Sequence, residues 1–267
     1  MINILTPEEL NGMRVVGRMM ADLLNACCDQ VRPGVTTGEI DAFFNAYIRT
    51  LGDGTATSGT LGYCGYPASL CISVNEEVIH GIPGARVLQR GDIVSLDVCG
   101  SYHGFFGDNT RTVVVGGAET LTADLRRLLR VTRQSLEAAV LAIRPGVHLS
   151  DISHLVEKTV AEGGCTVVRE FTGHGVGRHL HEDPPVPNYG RPGKGPILHE
   201  GMTLAIEPMV NLGKAAVRTL PDGWTVVSRD GLPTAHFEYT VAVLKDGAEI
   251  LTPWFERDPW SADWMRE

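Results

Sequence analysis

Apolar residues recur at three- and four-residue steps through Leu10, Met13, Val16, Met20, Leu23, Cys27 and Val31, the spacing of one buried helical face. Thr6-Pro7-Glu8-Glu9 opens this helix: threonine can cap, proline suits the first helical position, and Glu9 stands three residues beyond the cap. Arg32-Pro33-Gly34 ends it. A second helix is expected to start near Thr36 or Thr37 and to carry Ile40, Phe43, Phe44, Tyr47 and Ile48. A third is expected over about 122–143. Between them the period changes to that of a strand, with Ile93, Ser95 and Asp97 on one face, and residues 100–107 read as a hairpin connection that brings Asp108 back alongside Asp97.

The same grammar occurs twice. Val31-Arg-Pro-Gly-Val-Thr-Thr-Gly-Glu-Ile40 is echoed by Ile143-Arg-Pro-Gly-Val-His-Leu-Ser-Asp-Ile152, and Gly91-Asp-Ile-Val-Ser-Leu-Asp97 by Gly201-Met-Thr-Leu-Ala-Ile-Glu207. A third echo pairs Asp108-Asn-Thr110-Arg-Thr-Val-Val with Glu238-Tyr-Thr240-Val-Ala-Val. Matched blocks in one order imply an internal duplication, with halves of about 6–117 and 118–251 inside a single domain over 1–267 and a tail at 252–267. Each half then supplies one acid on an outgoing strand and one on a returning strand.

Those acids are the chemical signal. A carboxylate among Val94, Leu96 and Val98 loses hydration and has to be protonated, paired or bound to metal. Asp97, Asp108, Glu207 and Glu238 would converge across the pseudo-twofold axis. Near them in the second half, His174 and His181 belong to a glycine-flanked cluster, Phe171-Thr-Gly-His174-Gly-Val-Gly-Arg-His179-Leu-His181, in which His179 reads as structural. His80 is the first half's counterpart. Four carboxylates with an imidazole suit Mn²⁺, Fe²⁺, Co²⁺ or Zn²⁺. Four anionic ligands are too many for one ion, whereas two ions ~3.5–4 Å apart can share them and acidify a water between them.

Composition narrows the field. The 267 residues are 43% hydrophobic and 21% charged, an ordinary globular balance, and no run approaches the ~18 apolar residues of a membrane span. No secretory signal is visible near Met1, so a cytoplasmic home with no membrane association is expected. A formal charge of -9 disfavours DNA as a partner. The six cysteines lack Cys-x-x-Cys spacing and are expected to be reduced thiols. No Gly-x-Ser-x-Gly elbow, His-Glu-x-x-His helix, phosphate loop or dinucleotide fingerprint competes.

Taken in order, Asn75-Glu-Glu-Val-Ile-His80-Gly-Ile-Pro, Asp97 with Asp108 eleven on, Gly173-His174-Gly-Val-Gly-Arg, His181-Glu, Gly201-Met-Thr-Leu-Ala-Ile-Glu207-Pro-Met and Phe237-Glu238-Tyr-Thr resemble the type I methionine aminopeptidases. The resemblance spans about 6–251. It implies an α+β pita-bread fold, two halves of curved antiparallel sheet covered by helices. It also implies that Asp97, Asp108, His174, Glu207 and Glu238 bind two metal ions, with Asp108 and Glu238 bridging. Glu207 would take the proton from the attacking water, and His80 and His181 would hydrogen-bond the scissile peptide. The substrate would be the initiator methionine of nascent chains with a small second residue, its side chain received by Tyr63, Tyr66, Cys71, Leu180 and Trp224. Asn75 and Thr234 resemble positions that hold a monovalent cation. Cys99 stands where a threonine is usual, and Leu180 where an aromatic residue is usual.

Two other readings keep the fold. Xaa-Pro aminopeptidases and prolidases share the five ligands but carry a large additional N-terminal domain, for which the stretch before Asp97 leaves little room. A non-catalytic interaction protein would not need intact ligands. A monomer is expected, with any transient ribosome contact made by the catalytic domain itself. The tail, with Trp254, Trp260 and Trp264, is expected to pack back as an irregular lid.

Overall fold

A computed structural model describes residues 2–254. Four α-helices lie among them: α1 (Pro7–Cys28), α2 (Thr37–Ile48), α3 (Ala123–Ala142) and α4 (Leu149–Glu162). Thr6 and Glu9 form the expected reciprocal capping box, and Thr36 and Glu39 form a second one at the start of α2. The buried face of α1, including Met13, Val16, Met20 and Leu23, packs on a long antiparallel hairpin of strands Ile93–Tyr102 and Phe105–Val114. At ~25 cal/mol per Å² of apolar area removed from water, each of these side chains contributes about 1.5–3 kcal/mol.

The hairpin is tighter than its sequence suggests. Only His103 and Gly104 form the turn, with φ of 50° and 79°, the double left-handed backbone that matches strand twist in a two-residue connection. Gly100 and Gly107 are instead paired with each other inside the strands. Asp97 therefore faces Thr110, and Asp108 faces Cys99. Cross-strand partners share a face, as do residues two apart along a strand, so both acids emerge on the same side.

The second sheet has five strands in the order Gly247–Ile250, Tyr239–Leu244, Thr203–Ile206, Gly173–Gly175, Glu182–Val186. It meets the hairpin through Glu238 and its neighbours: Glu238 N donates to Thr110 O at 2.9 Å, and Thr240 Oγ1 donates to Asp108 O at 2.8 Å. The returning strands of the two sheets thus join at the level of their acids.

The repeated blocks make the same bonds in both places. Gly34 N donates to Leu88 O and Leu88 N to Val35 O, while Gly146 N donates to Leu198 O and Leu198 N to Val147 O. Gly34 and Gly146 have φ of 90° and 89°, a conformation that explains glycine in both copies. Gly91 N and Gly201 N likewise donate to Val115 O and Val243 O. Past the second sheet, Trp254 is fully buried and its Nε1 donates to Glu238 O at 2.9 Å. Trp260 and Trp264 lie outside the described residues.

Candidate metal centre

Asp108, His174 and Glu238 are all buried, and one ligand atom from each lies within 4.8 Å of the others. His174 Nε2 is 3.7 Å from Asp108 Oδ2 and 3.5 Å from Glu207 Oε1. These separations suit donors that share a cation, because two ligands at 2.0–2.2 Å subtending 90–120° are about 3–3.7 Å apart. Asp97 lines the same cavity. The hairpin supplies Asp97 and Asp108, the central strands of the second sheet supply His174 and, just beyond Ile206, Glu207, and the turn into Tyr239–Leu244 supplies Glu238.

Electrostatics shows what the group lacks without a cation. Burial, reinforced by Asp97 and Glu207, holds the Asp108 carboxyl well above the usual carboxylate range. Burial does the same to Glu207, helped by Asp97, and to Glu238, helped by Asp108, Glu207 and Asp97. Asp97 is also raised by burial, against the opposing pull of His236, Thr110, Asp108 and Cys71. Thr110 Oγ1 donates to Glu238 Oε2 at 2.8 Å, yet Glu238 Oε1 and Asp108 Oδ1 are buried without a hydrogen-bond partner among the described residues. Orphaned carboxylate oxygens beside a neutral imidazole are the donor set of a borderline-hard divalent cation. His174 is suited to ligation, since burial lowers its pKa to about 4 and Nδ1 is bonded to Gly175 O at 2.9 Å, leaving Nε2 to face the acids.

The cluster forms one wall of a cavity of about 310 Å³ that also brings together Tyr63, Tyr66, Cys71, His80, Leu180, His181 and Trp224. Tyr66 donates to Gly81 O at 2.8 Å and meets Trp224 edge-on at 5.1 Å. His80 lies 6.2 Å from Trp224 and 5.8 Å from Phe171, both edge-on. Burial, with His236 nearby, brings His80 to about 4. His181 stacks on Tyr63 at 5.2 Å, and its Nδ1 is 2.9 Å from the Tyr63 hydroxyl. Cys64 and Cys99 also line the cavity. His179 does not, and its backbone N donates to Glu182. Asn75 and Thr234 are joined by a Thr234 N to Asn75 O bond of 2.9 Å. All six cysteines are free thiols, and no described helix is long and apolar enough to cross a membrane.

One neighbour of the cluster gives little sign of itself in the sequence. His236 is buried with Nε2 3.6 Å from Glu207 Oε2. Its only signal is a position two residues before Glu238.

The chain is 47% identical over 252 residues to the methionine aminopeptidase of Clostridium perfringens, covering 94% of this chain and 99% of that protein. It superposes on the methionine aminopeptidase of Thermotoga maritima with a TM-score of 0.90 at 44% identity, covering 94% and 99% of the two chains, so the fold is the α+β pita-bread arrangement. A prolidase from Pyrococcus furiosus shares that fold, with a TM-score of 0.71 at 22% identity, but this chain covers only 65% of it. Residues 11–245 match the model of metallopeptidase family M24, and the acid and imidazole cluster that those residues bury makes chemical sense of the match: this chain belongs to that family and uses a divalent metal.

Proposed function

We propose that the chain is an aminopeptidase that holds two divalent cations and removes the N-terminal methionine of polypeptides whose second residue is small. One observation carries this reading: an orphaned acid cluster opens directly onto a cavity walled by aromatic rings and a thiol. Asp97, Asp108, His174, Glu207 and Glu238 would hold the cations, with Asp108 and Glu238 shared between them, and Co²⁺, Mn²⁺, Fe²⁺ and Zn²⁺ all suit the donor set. Bound there, the cations would supply Lewis acidity for a scissile carbonyl and lower the pKa of a water toward neutral.

The chain's own groups do the rest. Glu207 accepts the proton of the attacking water and returns it to the leaving amine. His80 and His181 donate hydrogen bonds to the scissile peptide and to the oxygen that gains charge, a placement most useful when water is excluded. Tyr63 steadies His181 from the other side of its ring. Tyr63, Tyr66, Cys71, Leu180 and Trp224 enclose the first side chain, and a thioether gains from aromatic edges such as the Tyr66–Trp224 pair.

Several further readings rest on the same footing. The chain works as a single catalytic domain of two related halves, about 6–117 and 118–251, supported by the matching bonds that Gly34 and Gly91 in the first half and Gly146 and Gly201 in the second make to Leu88, Val115, Leu198 and Val243. It acts in the cytoplasm as a monomer, meeting nascent chains with at most a transient ribosome contact, and the Asn75–Thr234 site takes a monovalent cation.

Release of methionine from Met-Ala-Ser by the Mn²⁺- or Co²⁺-reconstituted protein tests the activity. No release, or cleavage of Xaa-Pro dipeptides in its place, would overturn it.

A further inference from the structure

His236 is 2% exposed, and its Nε2 has no hydrogen-bond partner among the described residues. A buried polar nitrogen with nothing to bond costs stability that an apolar side chain of similar volume would not. Something must compensate for it. Glu207 Oε2 stands 3.6 Å from it, while the other oxygen of the same carboxylate, Oε1, stands 3.5 Å from Nε2 of His174. Two imidazoles therefore flank one carboxylate, each against a different oxygen.

The backbone under His236 is held from both sides. His236 N donates to Thr112 Oγ1 at 2.9 Å, Thr112 Oγ1 donates to His236 O at 2.8 Å, and the residue pairs across the sheet with Met209. Glu207 is anchored less directly, its carbonyl accepting from Asn188 Nδ2 at 3.0 Å. The 3.6 Å gap is longer than a hydrogen bond, and a shift of about 0.6 Å in the carboxylate would close it. A cation drawn to the Oε1 side would fix which oxygen turns toward His236.

We infer that His236 is a positioning residue for Glu207, donating Nε2–H to Oε2 and so presenting Oε1 to the His174 side of the centre. Partners of this kind orient a ligating carboxylate and raise the affinity of the site without touching the cation. The role of Glu207 as base rests on the aminopeptidase reading above. The orientation of its carboxylate does not.

The test compares the full-length wild type with His236→Leu, which removes the donor, and His236→Gln, which keeps an N–H at similar reach. Titration calorimetry with Mn²⁺ should show the dissociation constant weakened about 10–100-fold in His236→Leu and close to wild type in His236→Gln. With Met-Ala-Ser, kcat should fall in His236→Leu with little change in KM and recover in His236→Gln. Unchanged Mn²⁺ affinity in His236→Leu, or equal damage in both variants, would overturn the inference. Should His236→Leu not fold, nitrogen NMR of the Mg²⁺- or Zn²⁺-loaded wild type decides: an Nε2 of His236 without its proton overturns it. A wild type that releases no methionine, while His236→Leu still loses Mn²⁺ affinity, would defeat the aminopeptidase reading and leave this one standing.

Discussion

Asp108→Asn keeps the shape of a side chain at the centre of the acid cluster and removes its charge. One ligand atom of Asp108 and one of Glu238 lie within 4.8 Å of each other. Two unit charges at that distance repel by about 3–4 kcal/mol at an effective dielectric of ~20. The metal-free protein escapes by keeping protons, since burial and neighbouring acids hold both carboxyls well above the ordinary range. Protonation is not free either: holding a normal aspartic acid neutral at pH 7 costs about 4 kcal/mol, at 1.36 kcal/mol per unit. By both routes the metal-free wild type carries a few kcal/mol of avoidable destabilisation that asparagine relieves. With each kcal/mol worth about 2–4 °C in a domain of this size, Asp108→Asn should raise the metal-free Tm by several degrees, at most about 15 °C. It should also abolish the rise in Tm that Mn²⁺ gives the wild type and reduce methionine release at least ~100-fold, because a lost ligand removes several kcal/mol of charge stabilisation. Scanning calorimetry of chelator-treated and Mn²⁺-loaded proteins, with metal analysis, measures all three. A metal-free Asp108→Asn that melts no higher than wild type, yet still gains from Mn²⁺, would refute the electrostatic account.

Stability should depend on pH differently with and without metal. In the metal-free fold Asp108, Glu207 and Glu238 bind protons that the unfolded chain loses above about pH 4, so their contribution is lost as pH rises through the raised folded values. His80, His174 and His236, lowered to about 4, act the opposite way up to about pH 6.5, where the unfolded imidazoles lose their protons. Above about pH 6.5 the imidazole contribution is complete, so any further change in the metal-free Tm comes from the raised acids and should be downward while the loaded protein stays level; a metal-free Tm that rises there would contradict this. Tyr63→Phe keeps the stack on His181 but removes the hydroxyl 2.9 Å from its Nδ1. The loss of one orienting hydrogen bond, about 1–1.5 kcal/mol, should lower kcat roughly 5–15-fold, and an unchanged kcat would mean that His181 is oriented without Tyr63.

Local chemistry made much of this readable along the chain. The capping boxes at Thr6 and Thr36 work through side chains three residues apart, so they announce themselves in sequence. The acids stood out because Asp and Glu are poor tenants of apolar strands. The hairpin turn was harder to read, because a period of two does not say where a strand stops, and Gly100 and Gly107 resemble a loop until they are seen paired with each other. His236 was hidden for a different reason. A histidine in a strand looks like packing until Glu207, twenty-nine residues earlier, turns its carboxylate toward it.

The sequence by itself determined the helices with their caps, the repeated Arg-Pro-Gly-Val and strand blocks, and the four acids that a core tolerates only when they are protonated, paired or bound to metal. Only the tertiary structure decided which oxygen faces which imidazole, that Tyr63 meets His181 across 118 positions, and that Asp108 and Glu238 share a cluster while their second oxygens go unbonded. Capping and strand patterning act over a few residues and leave a local trace. The affinity of the centre and the orientation of its groups depend on ångström separations between strands distant in the chain, which no local pattern records.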